Sequence, residues 1–93
     1  MDGLSPIERK KLKARAHALD PTIHLGGKGL TEAVIAEIGR ALDAHELIKV
    51  RAGGMERRAR EAALAEICAR LVAQPVQHIG KVLVVYRKKP DDS

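Results

Sequence analysis

The run Val82–Tyr86, four aliphatic residues followed by a tyrosine, constrains the fold more than any other feature of this sequence. A strand with one face in water alternates apolar and polar side chains, whereas a strand covered on both faces does not. We therefore expect Val82–Tyr86 to be the central strand of a sheet that has other elements packed against both faces. The run is also far shorter than the roughly 20 apolar residues that a membrane helix needs.

Three segments have the spacing and the end signals of helices. The first begins with Ser5-Pro6-Ile7-Glu8, a capping box with proline at the first helical position. This helix is predicted to continue to about Leu19. The second helix is predicted to begin after an N-cap at Thr31. The third is predicted to cover about 56–73 and to end before Pro75. The predicted apolar stripes consist of Ile7, Leu12, Ala16 and Leu19 in the first helix, Val34, Ile35, Ile38 and Leu42 in the second, and Leu64, Ile67, Cys68, Leu71 and Val72 in the third.

Four short strands are predicted, at 22–25, 47–52, 76–79 and 82–87. The second alternates Ile48 and Val50 with Lys49 and Arg51, which predicts one buried and one basic face. Gly80-Lys81 is a two-residue connection suited to a hairpin between the last two strands. Strand-helix-strand units favour parallel pairing, and the hairpin adds an antiparallel pair. The sequence thus predicts a compact α/β domain of order αβαβαββ, with a mixed four-stranded sheet and three helices.

The positive net charge indicates the kind of partner that the chain binds. Lysine and arginine number 17 against 12 acidic residues, for a net charge of +5, and this excess favours a polyanionic partner such as nucleic acid or an anionic membrane. The N-terminus has no signal-type apolar stretch, and the single Cys68 cannot form an internal disulfide. We expect one cytoplasmic domain over residues 1–93, with a core at about 4–88 and a loose tail at 89–93.

The segment Gly26-Gly27-Lys28-Gly29 is the candidate binding loop. It lies between a predicted strand and the start of a helix, where backbone N–H groups and the helix dipole favour anions, and Lys28 adds a mobile positive charge. The spacing fits neither a Walker A motif nor a dinucleotide fingerprint, since Lys28 is followed by Gly29 and position 32 is Glu32. A glycine-rich loop that clamps the nucleic acid backbone, as in KH domains, fits better. Further candidate RNA contacts are the basic residues Arg9, Lys10, Lys11, Lys13, Arg15, Lys49 and Arg51.

Four motifs in sequence order then indicate a family. Leu12–His17 has the form Leu-Lys-x-x-x-His, and Pro21–Glu32 reads Pro-Thr-Ile-His-Leu-Gly-Gly-Lys-Gly-Leu-Thr-Glu. His45–Val50 reads His-Glu-Leu-Ile-Lys-Val, and Gln77–Arg87 reads Gln-His-Ile-Gly-Lys-Val-Leu-Val-Val-Tyr-Arg. From about residue 4 to residue 88 the chain resembles the CRM domain (chloroplast RNA splicing and ribosome maturation) in its stand-alone, bacterial YhbY-like form.

This resemblance implies a fold similar to the C-terminal domain of bacterial translation initiation factor 3, and association with rRNA in precursors of the large ribosomal subunit. The RNA-contacting loop of the family corresponds to Gly26–Gly29, with Lys28 and the basic first helix expected to join it. The chain departs from the family at Gly27, where relatives often have a larger side chain, and at the link Gly53–Met55.

Other interpretations of the same residues remain. The loop is also compatible with an ordinary strand-to-helix turn, and the basic residues with a solvated helix face. A protein-protein adaptor or a phospho-ligand-binding module with incidental RNA affinity is the alternative function. We expect no metal and no catalysis, because the four histidines lack ligand spacing and no nucleophile accompanies Asp43 and Glu46. We also expect no cofactor, no membrane contact and a monomer.

Overall fold

A computed structural model describes residues 3–89 of the chain. Within these residues the elements are α1 (Pro6–His17), β1 (Ile23–His24), α2 (Glu32–His45), β2 (Leu47–Arg51), α3 (Arg57–Leu71), β3 (Gln74–Ile79) and β4 (Val82–Tyr86). The strands form one sheet in the order β1-β2-β4-β3, with β1 parallel to β2 and β4 antiparallel to both of its neighbours. The predicted α/β architecture, with its mixed four-stranded sheet and three helices, is confirmed.

Strand β4 lies inside the sheet and is covered on both faces. Leu83 and Val85 are fully buried in the larger core, which α2 and α3 close. Val84 points to the opposite face and packs with Leu12 and Ala16 of α1. The domain therefore has three layers, with α1 on one side of the sheet and two helices on the other, as the apolar run of β4 requires.

Helix α1 begins as predicted but ends early. The Ser5 hydroxyl accepts a hydrogen bond from the Glu8 amide at 3.1 Å, and the Glu8 carboxylate accepts one from the Ser5 amide at 2.9 Å. The predicted end at Leu19 is wrong, since the helix stops at His17 and Leu19 is 37% exposed. The place of Ile7 on the stripe is also wrong. At 100° per residue it lies about 140° around the helix axis from the buried Leu12, and it is 69% exposed.

Helix α3 also ends earlier than predicted. Val72 adopts a left-handed conformation with φ 52°, which stops the helix at Leu71, and its side chain is 80% exposed rather than part of the core. The assignment of Pro75 as the helix terminator is wrong as well. Pro75 lies in β3, next to an irregularity in the pairing with β4. Proline is tolerated there because β3 is an edge strand, where a missing N–H leaves no ladder bond unmade.

The chain after β4 is held by contacts to both helices on the larger core. The Arg87 guanidinium donates to the Leu71 carbonyl at 2.8 Å, to the Gly39 carbonyl at 3.2 Å and to Asp43 Oδ1 at 2.7 Å. The Lys89 amide donates to Glu46 Oε2 at 2.7 Å. Residue 89, predicted to begin a loose tail, is thus held to the fold, and the rest of that predicted tail, 90–93, lies outside the described residues.

Candidate nucleic-acid interface

Three connections meet at one end of the sheet. Because β4 is antiparallel to both β2 and β3, the strands β1, β2 and β3 all run in the same direction and end at the same edge. The loop 26–29 follows β1, the link 53–55 follows β2, and the turn 80–81 follows β3. The Ala52 amide donates to the Lys81 carbonyl at 2.7 Å and joins the last two. The carboxyl ends of strands are the usual place for ligands in open α/β sheets.

The loop 26–29 is an exposed tight turn. The Gly29 amide donates to the Gly26 carbonyl at 3.0 Å, with Gly27 and Lys28 at the corners. Gly29 has φ +68°, a conformation that L side chains rarely adopt, and a Cβ at Gly26 or Gly27 would meet no atom within 4 Å. Lys28 is exposed. The loop therefore presents bare backbone and one ammonium group to solvent, as a phosphate-binding loop must.

The link 53–55 lies directly beside this loop. A Cβ at Gly54 would be 3.6 Å from the Gly27 nitrogen and 3.7 Å from the Gly26 carbonyl carbon, and a Cβ at Gly29 would be 3.8 Å from Cε of Met55. The sequence interpretation left the role of this link open. The pair Gly53-Gly54 marks a break in the chain after β2, but the sequence does not show what lies beside it. Its proximity to the loop depends on the pairing of β1 with β2.

Helix α1 covers only part of its face of the sheet. Leu47, Val76 and Val84 lie beneath it, and Val82 packs partly against them. The residues His24, Arg51 and Ile79, which lie in the same row of the sheet as Val82, are exposed beyond the helix, next to the loop 26–29. We call this uncovered part the open sheet face. Ile79 is 51% exposed there. A groove at its margin is lined by Lys13, Ala16, His17, Lys49, Gln77, Ile79, Val82 and Val84.

Only some of the predicted basic residues border the open sheet face. Lys13, Lys49 and Arg51 border the open sheet face, and Lys49 Nζ also donates to the Leu19 carbonyl at 3.0 Å. Strand β1 connects this face to the loop that carries Lys28. These four cations and the three glycines of the loop form what we call the loop-end surface.

The remaining predicted residues of α1 lie elsewhere. Lys11 and Arg15 line the opposite flank of the helix with Tyr86. Lys10 lies in a depression near Leu4 that Lys13 also lines, one turn away along the helix. Arg9 donates to the Pro75 carbonyl at 2.6 Å and serves the fold. At 100° per residue, basic side chains at 9, 10, 11, 13 and 15 cannot all point in one direction.

The sequence interpretation missed a group of residues on the other side of the loop. Arg57, Arg60, His78 and Gly80 line a groove next to the link 53–55. Arg60 is half-buried and donates to the Met55 carbonyl at 2.5 Å and to His78 Nε2 at 3.3 Å. The Arg-rich start of the third helix was visible in the sequence, but its neighbour His78 comes from a distant strand.

The described residues offer little support for metal binding, thiol chemistry or a membrane span. No three histidine, cysteine or acidic side chains converge as a metal site within residues 3–89. Burial raises the pKa of the Cys68 thiol to about 11, so it stays protonated at neutral pH. Among the helices between residues 3 and 89, none is long and apolar enough to cross a membrane.

Several known proteins are similar to this chain. An "RNA-binding protein" of Haemophilus influenzae is 46% identical over 94% of this chain and 88% of its own length. A "probable RNA-binding protein" of Pseudomonas aeruginosa is 46% identical over 95% of this chain and 85% of its own length. The solution structure of a candidate RNA-binding protein from Staphylococcus aureus superposes with a TM-score of 0.83 and 27% identity, covering 97% of this chain and 94% of the other. The model of the CRS1/YhbY (CRM) domain matches residues 4–87, and the chain therefore belongs to this family.

Proposed function

We propose that this protein binds structured RNA through the loop-end surface. The observation that carries the proposal is the exposed turn 26–29, whose glycines leave the backbone open while Lys28 supplies a positive charge. A ribose-phosphate chain can approach such a turn without meeting side chains, and backbone N–H groups and an ammonium group are both donors to phosphate oxygens. Lys13, Lys49 and Arg51 extend the positive surface to the sheet.

The relatives named as RNA-binding proteins support RNA as the partner. The more specific part of the proposal is that the RNA is rRNA in precursors of the large ribosomal subunit, and that the protein acts as a non-catalytic, monomeric assembly factor in the cytoplasm. Its support is the family to which the chain belongs, together with the positive net charge, which favours a polyanion.

Charge reversal in the loop tests the binding surface. Lys28→Glu is expected to weaken binding to purified large-subunit rRNA about tenfold in a filter-binding assay, because it places a carboxylate where a phosphate should lie. Lys89→Glu makes the same charge change at an exposed lysine at the other end of the sheet and is the matched control. Equal losses in the two variants would show that only net charge matters, and would defeat the loop assignment.

Sedimentation of cell extract on a sucrose gradient tests the partner. The protein should migrate with immature large subunits and move to the top of the gradient after nuclease treatment. Migration only at the top in untreated extract would contradict the ribosomal assignment. Association that survives nuclease would instead favour a protein-protein adaptor.

A further inference from the structure

We propose that the groove formed by Arg57, Arg60, His78 and Gly80 is a second phosphate site, which holds another phosphate of the RNA strand that contacts the loop 26–29. This inference rests on the proposed RNA-binding function and adds a contact region on the side of the loop away from α1. We call it the α3 groove.

The α3 groove is joined to the loop 26–29 by an unbroken series of contacts. Gly54 lies against Gly27, and the next residue in the chain, Met55, accepts a hydrogen bond from Arg60 through its carbonyl. Arg60 in turn donates to His78. The groove and the loop are therefore parts of one surface, and an RNA backbone that follows the loop reaches the groove next.

The groove is held in place before any ligand binds. Arg60 uses Nη1 for the Met55 carbonyl and Nε for His78, which fixes the plane of its guanidinium. Among the described residues no acceptor engages its Nη2, which is left to donate to a ligand. Nε2 of His78 accepts the hydrogen bond from Arg60. Such positioning lowers the entropy cost of binding an anion.

Charge in the groove favours phosphate over other ligands. Arg57 is exposed, with only a solvated ion pair to Glu61 at 3.4 Å, and Lys81 follows Gly80 on the surface. The first turn of α3 contains arginines and no acidic residue, although the positive end of a helix disfavours cations there. Guanidinium groups match phosphate oxygens with two parallel donors. The acidic side chains nearby, Glu56 and Glu61, are both exposed.

Two neighbouring arginines provide a matched test. Arg57→Gln and Arg58→Gln remove the same charge from the same turn of α3, at two exposed positions, but only Arg57 lines the groove. Binding to a short, fluorescently labelled RNA stem-loop is followed by anisotropy over a range of salt concentrations. Arg57→Gln should weaken binding about fivefold and reduce the slope of log K against log salt by about one, whereas Arg58→Gln should change affinity less than about twofold.

A third variant tests whether Arg57 contacts RNA or only stabilises the fold. Glu61→Gln releases Arg57 from its ion pair and should strengthen RNA binding about twofold, since it removes a competing anion. Thermal melting of all variants checks that each is folded.

The outcomes distinguish the two proposals. If Lys28→Glu binds the stem-loop about tenfold more weakly than the parent protein, but Arg57→Gln and Arg58→Gln behave alike, the α3 groove is overturned while the proposed function stands. If the parent protein binds neither this probe nor large-subunit rRNA, both are overturned. A loss of RNA affinity in Arg57→Gln but not in Arg58→Gln, together with a gain of affinity in Glu61→Gln, supports the α3 groove as a phosphate site.

Discussion

Gly54 lies against Gly27, so that a Cβ at position 54 would be 3.6 Å from the Gly27 nitrogen. β1 and β2 are parallel, with Ile23 opposite Val50, so the segments that follow the two strands leave the sheet side by side. The link after β2 therefore supports the loop after β1 from one side. Substitutions at position 54 should therefore alter the conformation of the loop even when they change no charge.

The first prediction concerns the space between the link and the loop. Gly54→Leu should lower RNA affinity several-fold with little loss of stability, because its Cβ would already contact the backbone of Gly26 and Gly27, and the rest of the side chain would add bulk beside the loop. Gly53→Leu is the matched control, since a Cβ at position 53 would meet only Nε of Arg51, at 4.0 Å. Binding isotherms for the two variants should differ. An equal effect of both would show that the contact does not control the loop.

The second prediction separates the two flanks of α1. Lys13→Gln should weaken RNA binding and reduce its salt dependence, because Lys13 borders the open sheet face with Lys49. Lys11→Gln should leave binding within about twofold, because Lys11 lies on the opposite flank with Tyr86. Anisotropy titrations at two salt concentrations measure both. A larger loss from Lys11→Gln would place the RNA on the other side of the helix.

The third prediction concerns backbone conformation in the loop. Gly29→Ala should lower the free energy of unfolding by about 1 kcal/mol, because its φ of +68° is unfavourable for a residue with a Cβ. Gly27→Ala should have a much smaller effect, as it has open space and no positive φ. Urea denaturation gives both values. Equal stabilities would mean that the loop relaxes to accept alanine.

The fourth prediction is a pH dependence at the start of α1. Hydrogen bonds from the backbone and the hydroxyl of Ser5 lower the pKa of Glu8 below its ordinary value of 4.5. A carboxyl whose pKa is lowered by folding stabilises the protein above its unfolded pKa, and this contribution is lost as the pH falls through the folded pKa. The parent protein should therefore be more stable than Glu8→Ala at neutral pH, and the difference should shrink in acid. Urea denaturation at a series of pH values measures it, and a difference that is constant with pH would contradict the assignment.

Local patterns in the sequence predicted much of the fold. The capping box at Ser5, the N-cap at Thr31 and the two-residue turn at Gly80 depend on neighbouring residues alone, and all three are confirmed. The central position of Val82–Tyr86 followed from its lack of alternation. Family membership was also predicted correctly from four short motifs.

By itself, then, the sequence determined the type and order of the elements, because capping, periodicity and turn preference act over a few residues. Only the tertiary structure decided which cations share a surface. Helix periodicity alone separates Lys11 from Lys13 by about 160° around α1. Only the packing of α1 on the sheet decides that Lys13 borders the open sheet face and that Lys11 lies on the flank with Tyr86. The contact of Gly54 with Gly27 and that of Arg60 with His78 join residues far apart in the chain, and strand register and helix packing create both.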